Sequence, residues 1–169
     1  ELKRRIPATR CPEKETVNDD TQGVQLATIQ KLASYWATDY DWRKVEARLN
    51  SLPNFITNID GLDIHFIHVK SKHEGALPIV ITHGWPGSFL EMLHLVPLLT
   101  EDTAFSFDLV IPSLPGFGFS SLLTPHGCSS RTVATLWKKL MKELGYERFA
   151  VQGGDIGAGV SSYIGLLYP

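Results

Sequence analysis

From residue 54 onward, short apolar runs alternate with stretches that have helical periodicity. The runs are continuous and only a few residues long, which is typical of strands buried on both faces of a parallel sheet. They lie at residues 79–81, 107–111 and 149–151. Helical spacing follows each of them, at residues 89–99, 132–144 and 156–167. This alternation predicts an α/β fold with a doubly wound, mostly parallel sheet and helices on both faces.

The first 53 residues have a different pattern. Apolar side chains recur there at helical spacing over residues 26–36 and again over 42–52, which predicts two amphipathic helices. We therefore expect an N-terminal helical segment over residues 1–53 and a sheet-based core over 54–169. The core should open with two short antiparallel strands around Asp60–Gly61, because this dipeptide is a strong hairpin signal.

Charge and composition exclude several kinds of partner. Sixteen Lys and Arg residues against eighteen Asp and Glu give a formal net charge of −2, so a basic surface for nucleic acid or anionic lipid is not expected. The apolar runs are far shorter than the roughly 18 residues that a membrane span needs. Cys11 and Cys128 form neither a disulfide framework nor a zinc motif, which favours a reducing, cytoplasmic compartment.

The sequence predicts neither a metal nor an organic cofactor. His65 and His68 are three positions apart on a predicted strand, so their side chains should point to opposite faces of the sheet. A dinucleotide fingerprint that starts at Gly157 and Gly159 would need glycine at position 162, where the chain has Ser162.

The turn after residues 79–81 contains His83, Gly84, Trp85 and Pro86. Ligands of doubly wound sheets bind where the strands end, so this turn is a candidate site. Gly84 lets the backbone approach a ligand closely, and Pro86 can hold the turn so that the Trp85 N–H points into a pocket as part of an oxyanion hole. An ordinary strand-to-helix turn explains these residues equally well when they are taken alone.

A second candidate turn follows residues 149–151 and carries one acidic side chain, Asp155. A nucleophile elbow bends so sharply that the residues two before and two or three after the nucleophile must be small, and Gly153, Gly157 and Ala158 meet that demand. An isolated aspartate at such a junction is more often a helix N-cap. The two turns together favour a catalytic site.

A carboxylate at an elbow suits displacement at an activated sp³ carbon, such as that of an epoxide or an alkyl halide. Attack by Asp155 forms an alkyl ester, and its hydrolysis develops negative charge on the side-chain carbonyl oxygen. The backbone N–H groups of Trp85 and Ile156 are placed to receive that charge.

Four segments carry a resemblance to a known family. They are residues 40–43 (YDWR), 83–87 (HGWPG), 112–120 (PSLPGFGFS) and 153–157 (GGDIG). Together they resemble the microsomal-type epoxide hydrolases. The N-terminal helical segment is similar to the one that wraps the core in that family and in the juvenile hormone epoxide hydrolases.

The resemblance implies an incomplete α/β-hydrolase fold and a hydrolase of the EC 3.3.2.- type that acts in detoxification. It implies that Asp155 is the nucleophile, that Trp85 and Ile156 form the oxyanion hole, and that the Trp85–Pro86 bond is cis. His83, Gly84, Pro86, Gly153, Gly154 and Gly157 would support the two turns. The partners implied are a small epoxide and water, without a cofactor, and a homodimer is left open.

The rest of that family's machinery is expected beyond Pro169. Its members use two lid tyrosines and a late acid and histidine pair, whereas all six histidines of this sequence precede Asp155. We therefore interpret the sequence as the N-terminal part of a larger enzyme. The 169-residue piece alone should be inactive because it lacks the base and the lid, and it should be prone to aggregation because its last strand would lack neighbours.

Two alternatives stay open at this stage. Haloalkane dehalogenases also use an aspartate nucleophile, but that class typically places a halide-binding tryptophan directly after it, where this sequence has Ile156. A non-catalytic α/β-hydrolase-fold binding protein is the other alternative, since the sequence contains no late base.

Overall fold

The computed structural model describes residues 1–101, 105–122 and 127–169, and the chain divides into two compact units, Glu1–Ser51 and Leu52–Pro169. The first unit is helical. It contains α1 (Leu2–Arg5), α2 (Leu26–Thr38), α3 (Trp42–Asn50) and two 3₁₀ turns at Ile6–Ala8 and Asp20–Gln22. Both helices predicted from the sequence, α2 and α3, are confirmed.

Local hydrogen bonds fix where the helices of the first unit begin. The Asp41 carboxylate accepts the Arg43 N–H at 3.0 Å and so caps α3. The Glu15 carboxylate accepts the Leu26 N–H at 2.9 Å, which satisfies a free amide at the start of α2. The hydrogen bond from Leu26 also lowers the pKa of Glu15. The irregular segment before α2 is thereby tied to the helix that follows it.

The second unit is built on one sheet. Its strands are β1 (Asn54–Ile59), β2 (Leu62–Val69), β3 (Leu77–Thr82), β4 (Phe107–Pro112) and β5 (Ala150–Gly153). Its helices are α4 (Leu95–Thr100), α5 (Ser130–Glu143) and α6 (Ile156–Leu167), with a 3₁₀ turn at Phe89–Met92. The hairpin around Asp60–Gly61 and the alternation of strand and helix are confirmed.

The five strands form a mixed sheet in the order β1-β2-β4-β3-β5. The β1–β2 and β2–β4 pairs are antiparallel, and β4, β3 and β5 run parallel to one another. The parallel part therefore lies where the sequence has its continuous apolar runs. Because β3, β4 and β5 are parallel, the residues that follow all three meet at one edge of the sheet.

The helix expected over residues 89–99 is divided. A 3₁₀ turn over Phe89–Met92 is followed by a separate short helix, α4, in which Pro97 is the third residue. Proline has no amide hydrogen, so it is tolerated in the first turn of a helix and not in its interior. Pro97 therefore favours a new helix start just before it.

The core of the second unit lies between the sheet and the two long helices α5 and α6. Trp137 of α5 is completely buried, and its indole N–H donates to the Thr82 hydroxyl at 3.0 Å. Burial of a side chain this large stabilises a fold by roughly 3–5 kcal/mol relative to alanine. The hydrogen bond leaves no indole donor unsatisfied and joins α5 to the end of β3.

Candidate active site

The two candidate turns begin side by side at the carboxyl edge of the sheet. Thr82, the last residue of β3, is in register with Gly153, the last residue of β5. The chain leaves β3 through His83 and leaves β5 through Gly154 and Asp155. Two turns that are 70 residues apart in sequence are thus brought into contact.

Asp155 occupies a sharp turn with a φ of 53° and a ψ of −120°. It is one of two residues other than glycine with positive φ in the described part of the chain. Its Oδ1 accepts the Trp85 N–H at 2.9 Å, and the side chain is exposed to solvent. Although Asp155 is at the N-cap position of α6, it makes no capping hydrogen bond to that helix within the described residues. Its side chain is directed to the other turn.

The surroundings of Asp155 favour its ionised form. The backbone N–H of Trp85, and after it that of Ile156, lower the pKa of the carboxyl group. The carboxylate is therefore charged at neutral pH, and its pKa lies below the ordinary value for aspartate. The side chain of Trp85 itself is 70% exposed in this part of the protein.

Close packing explains three of the glycines around the site. A Cβ on Gly84 would lie 2.5 Å from the Asp155 Cβ and 2.6 Å from its Oδ1. A Cβ on Gly157 would clash with the Thr82 carbonyl oxygen, and one on Gly153 with the carbonyl of Gly157. By contrast, Gly154 has open space and no positive φ, so the structure shows no steric need for glycine there.

His83 and Pro86 shape the turn after β3. The Trp85–Pro86 peptide bond is cis, as the resemblance implies. His83 is fully buried, with Nδ1 3.1 Å from the Gly84 carbonyl oxygen and Nε2 3.1 Å from the Leu114 backbone nitrogen. Because an amide N–H can only donate, Nε2 must be the acceptor and Nδ1 carries the hydrogen. Burial lowers the pKa of His83, which keeps the ring neutral.

The turn after β4 is a third part of this edge. Its contact with His83 was not predicted from the sequence. Leu114 lies in that turn and supplies the amide that His83 binds. Ser113, just before it, donates its backbone N–H to the His65 carbonyl at 2.8 Å. The only signal in the sequence was the glycine-rich segment 112–120, which gave no indication of these partners.

His65 is buried, with Nδ1 2.9 Å from the Ser113 hydroxyl and Nε2 3.0 Å from the Asn54 side-chain oxygen. Both ring nitrogens are thus engaged inside the protein. Over the described ranges, there is no group of three or more His, Cys, Asp or Glu side chains that could hold a metal ion.

The positive φ of Asp155 leads to a prediction about stability. Residues with a Cβ are strained in this backbone region, whereas glycine is not. We expect Asp155→Gly to raise the Tm by about 2–4 °C over that of Asp155→Asn, although both lack the carboxylate. The measurement is thermal unfolding of both variants. Equal Tm values would show that the turn stores no strain.

A strand, a sharp turn with an acidic side chain and a helix, set at the carboxyl edge of a mixed sheet, define the class of α/β-hydrolase folds. Comparison with known families agrees: residues 78–169 match the model described as "alpha/beta hydrolase fold", and residues 1–92 match "Epoxide hydrolase N terminus". The chain belongs to the α/β-hydrolase-fold family and carries an epoxide hydrolase N terminus.

Several individual proteins are similar over most or all of the chain. A protein from Stigmatella aurantiaca named "Putative epoxide hydrolase" is 54% identical over 175 residues, covering 100% of this chain. Epoxide hydrolase 1 of Oryctolagus cuniculus is 42% identical and covers 83% of this chain. The crystal structure of juvenile hormone epoxide hydrolase from Bombyx mori superposes with a TM-score of 0.89 at 35% identity over 99% of this chain.

All three are much longer than this sequence. The chain spans 40% of the Stigmatella protein, 33% of the rabbit protein and 41% of the silkworm structure. Among the described residues, no helix is both long and apolar enough to cross a membrane.

Proposed function

We propose that the protein is an epoxide hydrolase that converts a small epoxide and water into a vicinal diol through a covalent ester on Asp155. The observation that carries this proposal is the position of the Asp155 carboxylate. It is exposed and ionised, its Oδ1 accepts the Trp85 N–H at 2.9 Å, and the Ile156 N–H also lowers the pKa of the carboxyl group. The names of the similar proteins support epoxide as the substrate class.

In the first step, the two carboxylate oxygens have different tasks. Oδ1 is held by the Trp85 N–H, so the free oxygen, Oδ2, attacks an epoxide carbon. A carbon–oxygen bond forms to Oδ2 as the epoxide carbon–oxygen bond breaks, and the bonding electrons go to the epoxide oxygen. That oxygen takes up a proton from an acid, which by resemblance to the family is a lid tyrosine.

In the second step, water attacks the Asp155 Cγ. Negative charge then develops on Oδ1, which already accepts the Trp85 N–H, and the nearby Ile156 N–H is the second donor proposed to stabilise it. The tetrahedral intermediate collapses and the Cγ–Oδ2 bond breaks, so that Oδ2 leaves with the diol. Oδ2 takes up the remaining proton of the added water oxygen, which restores the carboxylate. The base that takes the first proton from water is, by resemblance, the late histidine, and that proton then returns to the acid that protonated the epoxide oxygen. With that base and the lid absent, the 169-residue piece alone should not turn over.

The proposal favours epoxides over haloalkanes because of the residue after the nucleophile. A leaving halide needs a hydrogen-bond donor beside the reacting carbon. The side chain of Ile156 is aliphatic and cannot donate a hydrogen bond to a halide. Epoxide opening leaves no free anion to be bound, since the oxygen stays on the substrate and is protonated.

Isotope labelling tests the covalent route. In a single turnover of the full-length protein in heavy-oxygen water, we expect unlabelled diol and one heavy oxygen in the Asp155 peptide, since the diol oxygen comes from Oδ2. Both are measured by mass spectrometry, with enzyme in excess over substrate. Protein incubated in heavy-oxygen water without epoxide is the control. A labelled diol with an unlabelled peptide would mean that water attacks the epoxide directly.

A further inference from the structure

The peptide group between Gly84 and Trp85 is hydrogen bonded at both of its polar atoms. Its N–H donates to Asp155 Oδ1 at 2.9 Å, and its carbonyl oxygen accepts the His83 Nδ1–H at 3.1 Å. A peptide group is planar, so the direction of its carbonyl fixes the direction of its N–H. Whatever holds the Gly84 carbonyl therefore also aims the Trp85 N–H at the carboxylate.

His83 is itself held from the other side. Its Nε2 accepts the Leu114 N–H at 3.1 Å, and its ring packs edge-on against Phe117 with the ring centres 5.4 Å apart. The side chain is fully buried, and both ring nitrogens are bound to backbone groups. The imidazole thus joins the turn after β4 to the turn after β3 in one fixed orientation.

We propose that His83 is a positioning residue of the oxyanion hole: its neutral imidazole orients and polarises the Gly84–Trp85 peptide so that the Trp85 N–H stays on Asp155 Oδ1 during the reaction. This inference rests on the proposed function. Donation from Nδ1–H to the carbonyl draws electron density away from the peptide nitrogen, which makes the Trp85 N–H a stronger donor. A residue that only filled space would not have this effect.

The two chemical steps should respond differently to the loss of His83. When the ester forms, Oδ1 changes from a charged carboxylate oxygen to a neutral carbonyl oxygen, so a weaker donor does not slow this step. When water attacks the ester, Oδ1 gains a full negative charge, so a weaker donor does slow it. Loss of His83 should therefore slow ester hydrolysis selectively and let the ester accumulate.

Two substitutions distinguish the hydrogen bond from His83 to the Gly84 carbonyl from the packing of its ring. His83→Phe keeps a planar ring against Phe117 but removes both nitrogens. His83→Asn places an amide nitrogen near the former Nδ1, from which it can still donate to the Gly84 carbonyl. His68→Asn is the control, because His68 is a partly buried histidine of β2 that lies outside the site, with its Nε2 2.9 Å from the Tyr146 hydroxyl.

The experiment follows the ester on the Asp155 peptide of the full-length protein by rapid quench and mass spectrometry. For His83→Phe we expect ester hydrolysis to be slower by on the order of tenfold, which is the effect of losing one ordinary hydrogen bond. Ester formation should not be slowed. His83→Asn should fall between His83→Phe and the wild type, and His68→Asn should match the wild type. The ratio of the two rates does not depend on the fraction of folded protein.

Other outcomes would overturn the inference. It is wrong if His83→Phe hydrolyses the ester at the wild-type rate, or if both steps slow equally. It is also wrong if nitrogen NMR of the wild type shows the hydrogen of His83 on Nε2. If the wild type forms no ester on Asp155, the proposed function itself has failed, and this inference fails with it.

Discussion

Asp155→Asn is expected to abolish diol formation, lowering kcat/KM of the full-length protein by at least about 10⁴-fold. The amide oxygen is uncharged and is a far weaker nucleophile than the carboxylate oxygen. Asparagine keeps the size of the side chain and can still accept the Trp85 N–H. The loss should therefore be chemical, with the fold retained. Diol formation is measured by chromatography with the substrate below KM.

Asp60→Asn is the matched control for this variant. Asp60 has the same φ of 53° and is also exposed, but it lies in the hairpin turn between β1 and β2. We expect it to retain activity within about twofold, because surface substitutions away from the site have small effects. If Asp155→Asn kept more than a tenth of the wild-type activity, with deamidation excluded by mass spectrometry, Asp155 would not be the nucleophile.

The contact between the two turns could be predicted from sequence because its constraints are local. Each turn directly follows an apolar run, and parallel strands bring the residues after them to one edge. The demand for small residues is also local: Gly157 must be small because the helix that starts at Ile156 passes close to the Thr82 carbonyl. These features are the same wherever a strand, an elbow and a helix meet.

The hydrogen bonds of His83 could not be predicted in this way. Leu114 is 31 positions further along the chain and reaches His83 only because β4 pairs directly with β3. Strand order is a property of the whole sheet, and no pattern within residues 82–88 reveals it. The division of the helix at residues 89–99 is a different case, since Pro97 could have indicated it from the sequence alone.

Gly84→Ala is expected to lower kcat by about 10²–10³-fold, the range seen when one oxyanion-hole donor is lost. The Gly84 backbone is outside the positive-φ region, so alanine is not excluded by conformation. Its Cβ would, however, lie 2.5 Å from the Asp155 Cβ and 2.6 Å from Oδ1. The carboxylate must move away, and the 2.9 Å hydrogen bond to the Trp85 N–H is lost.

Gly154→Ala is the control, because it is in the same elbow and yet has nothing within 4 Å of its new Cβ. We expect its kcat within about twofold of the wild type. Thermal unfolding of both variants separates displacement of Asp155 from general loss of fold. If Gly84→Ala folds normally and keeps full activity, the Asp155 carboxylate does not need the Trp85 N–H. The oxyanion hole would then have to be formed by other donors, because Oδ1 gains negative charge in ester hydrolysis whichever group receives it.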